Sequence, residues 1–322
     1  MLVVTGASGF VGRALMQRLR ADGRPVRAVV KARGDGCDHA VAVGAIDGQT
    51  TWAPALAGCD VVVHLAARVH VMREEANDPL AAFRAVNVDG TVRLAHEAIR
   101  AGVRRLVFVS SVKIHGDASG AIPFTETAPS APADAYSISK WEAEQELARI
   151  AEATGLEVVV LRPPLVYGPG VAGNFRRLLD TVRRGLPMPL GAVHNRRSLL
   201  YVENLADALV TCADHPAAAG RAFLVCDGTS VSTPELIRRC AGALGVVPNL
   251  WSVPVPILWL AGTMTRRAAA IGRLTGSLEV DDAAIRTVLG WRPRVAMDDA
   301  LAITAKAYLA GRCSALSAGL ER

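Results

Sequence analysis

The chain has 322 residues, enough for about two domains, and its 51% apolar and 20% charged residues describe a protein with a sizeable core rather than a disordered or collagen-like chain. Aromatic residues make up only 5%, so that core rests on Ala, Val and Leu. The formal net charge of +6 comes from scattered basic residues with no run of five, which excludes nucleic acid as the expected partner and favours an anionic small ligand.

In chain order, strands and helices alternate. The chain opens directly into an apolar run, Leu2–Thr5, with no charged leader ahead of it, so no signal peptide is expected. A glycine cluster follows, then a helical pattern with Ala14, Leu15 and Leu19 on one side. Strands are predicted over Pro25–Val30 and Asp60–Leu65, a helix over Arg84–Gly102, a strand over Arg105–Val109, a helix over Tyr136–Ala153 and a strand over Leu156–Arg162. Continuous apolar strands separated by helices are what a parallel sheet buried on both faces demands. The fold class is therefore α/β, a Rossmann-like doubly wound parallel sheet. After Pro163–Pro164 the texture changes to shorter elements punctuated by prolines, the mark of a smaller C-terminal α/β domain, with Phe223–Val225 returning as one more strand of the first sheet. The longest apolar run, 253–262, is broken by Pro254 and Pro256 and falls short of the ~18 residues of a membrane span. Six cysteines lie far apart with no CxxC pair, which argues against a metal site and a disulfide scaffold. A reduced, cytoplasmic protein without membrane contact is expected.

Three motifs carry chemistry. Thr5-Gly6-Ala7-Ser8-Gly9-Phe10-Val11-Gly12 sits between a strand and a helix. Glycines there let the backbone approach a pyrophosphate, whose charge then meets free helix N–H groups at the positive end of the dipole. The second strand ends in Lys31-Ala32-Arg33, where a 2′-hydroxyl reader would be acidic. Lys31 and Arg33 suit a 2′-phosphate and point to NADP(H), with NAD(H) as the alternative. Tyr136 and Lys140 are four residues apart on one helix and share a face. A cation ~4 Å from a phenol is worth about 4 kcal/mol at an effective dielectric near 20, enough to bring a tyrosine from ~10 toward ~7. Ser111, ending the strand Val107–Val109 in a Ser-Ser pair, lies at the carboxyl edge where such sheets bind ligands.

Together TGASGFVG, the helix start at Asn87-Val88-Asp89-Gly90-Thr91, VSSVKIHG, YSISK and RPPLVYGPG resemble the extended short-chain dehydrogenase/reductase family, in its NAD(P)-dependent nucleotide-sugar epimerase/dehydratase branch. The resemblance runs to the LGWRP element at Leu289–Pro293. It implies Ser111, Tyr136 and Lys140 as catalytic residues. It gives the cofactor Gly6, Ser8, Gly9, Phe10, Val11, Gly12, Leu65, Ala66, Ala67, Asn87 and Pro163, besides Tyr136 and Lys140. It gives the substrate, a UDP-linked hexose, Ser111, Asn174 and Arg197, and Lys113 joins them by its position. A cofactor domain of residues 1–169 plus about 198–228 and a substrate domain of 170–197 and 229–322 are implied, as is a homodimer through the helices at Arg84–Gly102 and Tyr136–Ala153. Core packing within one subunit would explain the same helix faces.

This chain departs from the family pattern at three places. Gly44-Ala45-Ile46 lacks the acid that contacts adenine in relatives, Val112-Lys113 replaces the Asp-Glu pair of 4,6-dehydratases, and His115 stands where Tyr is common. Dehydratase chemistry is thereby excluded, since water elimination needs its own acid and base. Hydride transfer at carbon 4 remains, either as a 4-keto-(6-deoxy)-sugar reductase using NADPH, which Lys31 and Arg33 favour, or as a 4-epimerase with retained NAD. An apolar-ketone reductase and a silent NAD(P)-binding regulator are the remoter alternatives.

Overall fold

A computed structural model of the protein describes residues 1–32, 40–69 and 78–317. Among them, strands β1 (Leu2–Thr5), β2 (Val26–Val30), β3 (Val41–Ala42), β4 (Val61–His64), β5 (Arg105–Val109), β6 (Glu157–Arg162) and β9 (Ala222–Leu224) form one sheet. Its order is β3-β2-β1-β4-β5-β6-β9, and every pairing is parallel. The predicted strands are all present, shortened by a residue or so at their ends, and the strand expected near Phe223–Val225 joins this sheet beside β6.

Alternation along the strands sends side chains into two cores. Leu2, Val4, Val63, Val107, Val159 and Leu161 meet helices α1 (Phe10–Ala21), α7 (Val202–Asp214) and α11 (Ala283–Leu289) on one face. Val3, Val62, Leu106, Phe108, Val158 and Val160 meet α2 (Ala53–Leu56), α4 (Gly90–Arg100) and α5 (Ala135–Thr154) on the other. Leu94, Ala95 and Ala98 of α4 and Ala143, Leu147 and Ile150 of α5 thus pack in the chain's own core.

The segment read as one helix over Arg84–Gly102 is more articulated. Helix α3 (Pro79–Arg84), capped by Asp78, runs into a π turn at Ala85–Asp89 before α4 begins. The wider turn breaks the simple 3.6 period and leaves Asn87 and Thr91 inside, at 1% and 0% exposure. Helix α5 starts in a capping box, in which Asp134 accepts from the Ser137 amide and Ser137 accepts from the Asp134 amide. Gly155 ends it in the left-handed conformation, φ 77°.

Beyond the carboxyl edge lies a three-stranded sheet. In it β8 (Arg197–Tyr201) pairs parallel with β7 (Leu165–Tyr167) and antiparallel with β10 (Ser230–Val231). Helices α6 (Gly173–Arg183), α8 (Thr233–Leu244) and α12 (Met297–Ser317) enclose its core through Phe175, Leu179, Ile237, Cys240 and Leu301. The small sheet draws β7 and β8 from segments expected to go with the large one and β10 from a segment expected in the smaller domain.

Candidate active site

The cradle begins where β1 ends. Gly6 has φ +68°, and a Cβ on it would stand 2.8 Å from the Ala66 nitrogen. On Gly12 a Cβ would stand 2.2 Å from the Gly6 carbonyl oxygen. The turn therefore packs backbone on backbone, and only glycine fits at either place. Gly9 caps α1 without any side-chain hydrogen bond, so the first N–H groups of that helix are left to a ligand.

A cleft of about 620 Å³ opens above this turn. Gly6, Ser8, Gly9, Phe10, Val11 and Gly12 form its floor, with Lys31 at one side and Leu65, Ala66 and Ala67 at another. Gly44, Ala45 and Ile46 line it too, so the wall that would carry an adenine-contacting acid is apolar here. The glycine cradle, the uncapped helix start and the size of the cleft fit a dinucleotide. Arg33 lies outside the described residues. Asn87 is not in the wall. Its side chain instead grips the backbone of Arg68, accepting from the amide at 2.8 Å and donating to the carbonyl at 3.0 Å, and donates to Ser139 Oγ at 2.9 Å. It ties the loop after β4 to the helix that carries Tyr136.

A second cavity of about 230 Å³ shares Val11, Leu65, Ala67 and Val69 with the first. Ser111, Tyr136, Lys140 and Pro163 line it together, so the three expected catalytic residues converge beside the cofactor cleft. Ser111 opens a 3₁₀ turn at Val112–His115, accepting from the Lys113 amide, and it is hydrogen-bonded to Tyr136.

The electrostatics differ from the sequence expectation. Burial pushes the Tyr136 phenol up to about 12, the Ser111 hydrogen bond pulls it back, and the Asp134 charge adds to the rise. Lys140 does not bring the phenol toward 7 in this arrangement. The ammonium is itself desolvated, and its pKa is lowered to about 7 by burial, with Glu144 opposing. Its Nζ lies 4.2 Å from the centre of the Phe108 ring. His64 stacks against that ring at 5.9 Å and is held between Thr5 Oγ1 at 2.7 Å and Thr91 Oγ1 at 3.1 Å. Burial, helped by the Lys140 charge, lowers His64 to about 3, so this histidine is a neutral packing group.

Three proposed substrate contacts stand apart from both cavities. Lys113 is ion-paired with Asp134 and lies 3.3 Å from Asp117, which sets it on the cap of α5. Asn174 is exposed in the first turn of α6. Arg197 Nη1 donates to the carbonyls of Arg273 at 2.7 Å and Gly276 at 3.1 Å. His115, without a role in the sequence reading, faces the buried Arg162–Glu144 pair through its Nε2. Residues missed include Ser110 and Arg68. Ser110 Oγ is buried in the small cavity without a hydrogen-bond partner, and the Ser-Ser doublet was the signal for it. Nothing in the sequence marked Arg68, which lines the cleft.

The profile of the family described as the NAD dependent epimerase/dehydratase family matches residues 2–226. The chain belongs to that family. It is therefore an enzyme of the extended short-chain dehydrogenase/reductase type, as its motifs imply. UDP-glucose 4-epimerase of Vibrio cholerae is 41% identical over 315 residues, covering 96% of this chain and 95% of the relative. UDP-glucose 4-epimerase of Mycolicibacterium smegmatis is 32% identical over 323 residues, covering 95% and 97%. Among solved structures, MoeE5 in complex with UDP-glucose and NAD superposes with a TM-score of 0.76 at 26% identity, over 97% of this chain and 99% of that one.

Proposed function

We propose that the protein is a UDP-hexose 4-epimerase that retains NAD. The observation that carries this is the convergence of Ser111, Tyr136 and Lys140 on a cavity continuous with the glycine-floored cleft. The 41% identity to a UDP-glucose 4-epimerase moves the balance away from the reductase reading that Lys31 and Arg33 suggested.

When bound, the dinucleotide supplies the hydride acceptor and donor. Its pyrophosphate would rest on Gly6–Gly12 and the α1 N-terminus, and its adenosine end would lie toward Lys31 and Gly44–Ile46. Tyr136 takes the proton of the sugar 4-hydroxyl and gives it back to the 4-keto oxygen. Ser111 donates a hydrogen bond to that same oxygen. A protonated Lys140, one helical turn from Tyr136, would favour the phenolate that this step needs. Asn174 and Arg197 are the proposed diphosphate contacts. The division into a cofactor unit (1–169 with about 198–228) and a substrate unit (170–197 and 229–322), and a homodimer, belong to the same proposal.

A second reading, a 4-keto-sugar reductase using NADPH, rests on Lys31 in the cleft wall. Denaturing the purified protein and identifying the released nucleotide separates the two. Stoichiometric NAD together with UDP-galactose formed from UDP-glucose supports the epimerase. A nucleotide-free protein that binds NADPH more tightly than NADH and leaves UDP-glucose unchanged supports the reductase.

A further inference from the structure

Helix α9 (Val255–Met264) is apolar along its whole length, yet only Leu258 and Gly262 of its ten residues are buried. Ile257, Leu260 and Met264 are 55%, 63% and 79% exposed, and Trp251 just ahead of the helix is 60% exposed. Helix α10 (Ala268–Thr275) buries none of its residues. The two form a built hairpin. A Cβ on Gly262 would stand 2.7 Å from Ile271 Cγ1, and Trp259 lies against Gly272. Arg266, with φ 56°, turns the chain from one helix into the other. At its foot Asn195 Nδ2 and Thr233 Oγ1 donate to the Leu274 carbonyl, and Arg197 holds that of Arg273. A fixed element with a contiguous apolar side facing out marks an interaction site, where scattered single residues would not.

Charge indicates what covers it. Residues 251–278, which hold the hairpin, contain three arginines, Arg266, Arg267 and Arg273, and no Asp or Glu. Arg266 and Arg267 follow α9 directly, and Arg273 neighbours Gly272, against which Trp259 rests. All three are exposed, and none has an ion-pair partner among the described residues. Exposed Trp, Leu, Ile and Met beside unpaired arginines, without carboxylates, is the pattern of a segment that lies in the headgroup boundary of an anionic bilayer. A second copy stacked face to face would bring two sets of arginines together with no acid from this stretch to pair them. Ten residues rise about 15 Å, half of a bilayer core, and no helix of the described residues is long and apolar enough to cross a membrane. We propose that the α9–α10 hairpin docks the protein peripherally on anionic phospholipid bilayers. This revises the sequence expectation of no membrane contact, and it is independent of which 4-position chemistry the site performs.

The test is co-sedimentation of the full chain with extruded vesicles of phosphatidylcholine alone or mixed with phosphatidylglycerol. Binding is expected to the mixed vesicles only and to weaken as salt rises. Arg266→Gln with Arg267→Gln is expected to lower the partition coefficient roughly tenfold or more. Leu260→Glu with Met264→Glu is expected to abolish binding. Both pairs should keep the wild-type melting temperature and UDP-hexose turnover, because the side chains face outward. Wild-type protein that stays in the supernatant with both vesicle types, or variants that bind as well as wild type, would overturn the proposal. So would a dimer that dissociates on Leu260→Glu with Met264→Glu, which would assign the face to a second copy.

Discussion

Replacing Lys140 by Met should make the protein more stable and nearly inactive. The residue is 3% exposed, and its ammonium meets the Phe108 ring at 4.2 Å. Burial lowers its pKa from 10.5 to about 7. A base with a depressed folded pKa is bound to its proton more tightly in the unfolded chain. The penalty is therefore complete below pH 7 and fades as pH rises from 7 toward 10.5. At pH 7 this corresponds to about 4 kcal/mol, taking about 1.36 kcal/mol per pH unit. The cation–π contact offsets about 1–2 kcal/mol, which leaves roughly 2–3 kcal/mol released by an uncharged side chain of similar length. For nucleotide-free protein, calorimetry at pH 7 should show a melting temperature higher by roughly 3–5 °C. The gain should shrink by pH 10, and turnover should fall by roughly 10²–10⁴. A variant that melts at or below wild type at pH 7, or whose gain is the same at pH 10, refutes the assignment of a desolvated ammonium.

Tyr136→Phe should lose roughly 10³-fold or more in kcat while its nucleotide content, measured after denaturation, stays at the wild-type level; loss of nucleotide instead would make Tyr136 a cofactor contact first. Gly12→Ala places a methyl 2.2 Å from the Gly6 carbonyl, so denaturant unfolding should show a loss of about 1–3 kcal/mol and bound nucleotide should fall. Arg162→Met leaves Glu144 buried without the partner now 2.6 Å away, and a loss of about 3–5 kcal/mol is expected by urea titration. Lys113→Met should cost about 1 kcal/mol or less and leave KM unchanged, because its partners are Asp134 and Asp117; a raised KM for UDP-glucose would make it a sugar contact.

The large sheet was legible because its strands are short continuous apolar runs, and the glycine turn because its spacing has a steric cause that Gly6 and Gly12 display directly. Ser111, Tyr136 and Lys140 could be placed on one site because strand ends and the helical i,i+4 relation fix direction as well as order. Elsewhere the sequence was silent for identifiable reasons. The π turn at Ala85–Asp89 shifts the helical period, and no residue announces it. The Tyr136 pKa was misjudged because Coulomb attraction along a helix can be read from spacing, whereas desolvation depends on what the rest of the fold places around the phenol. The surroundings of Lys113 and Arg197 were not legible either, since the groups they meet, Asp134 at the cap of α5 and the carbonyls at the foot of α10, come from distant segments. The exposure of α9 was likewise hidden, since an apolar run of that length reads equally well as core.

The most direct measurement of the central claim follows the hydrogen at carbon 4. Purified protein, given UDP-[4-²H]glucose and no added cofactor, should form UDP-galactose that retains deuterium at carbon 4 by NMR and mass spectrometry, and Tyr136→Phe should form none. Loss of deuterium to solvent, or no UDP-galactose from a protein that carries its nucleotide, would contradict 4-epimerisation by hydride transfer at this site.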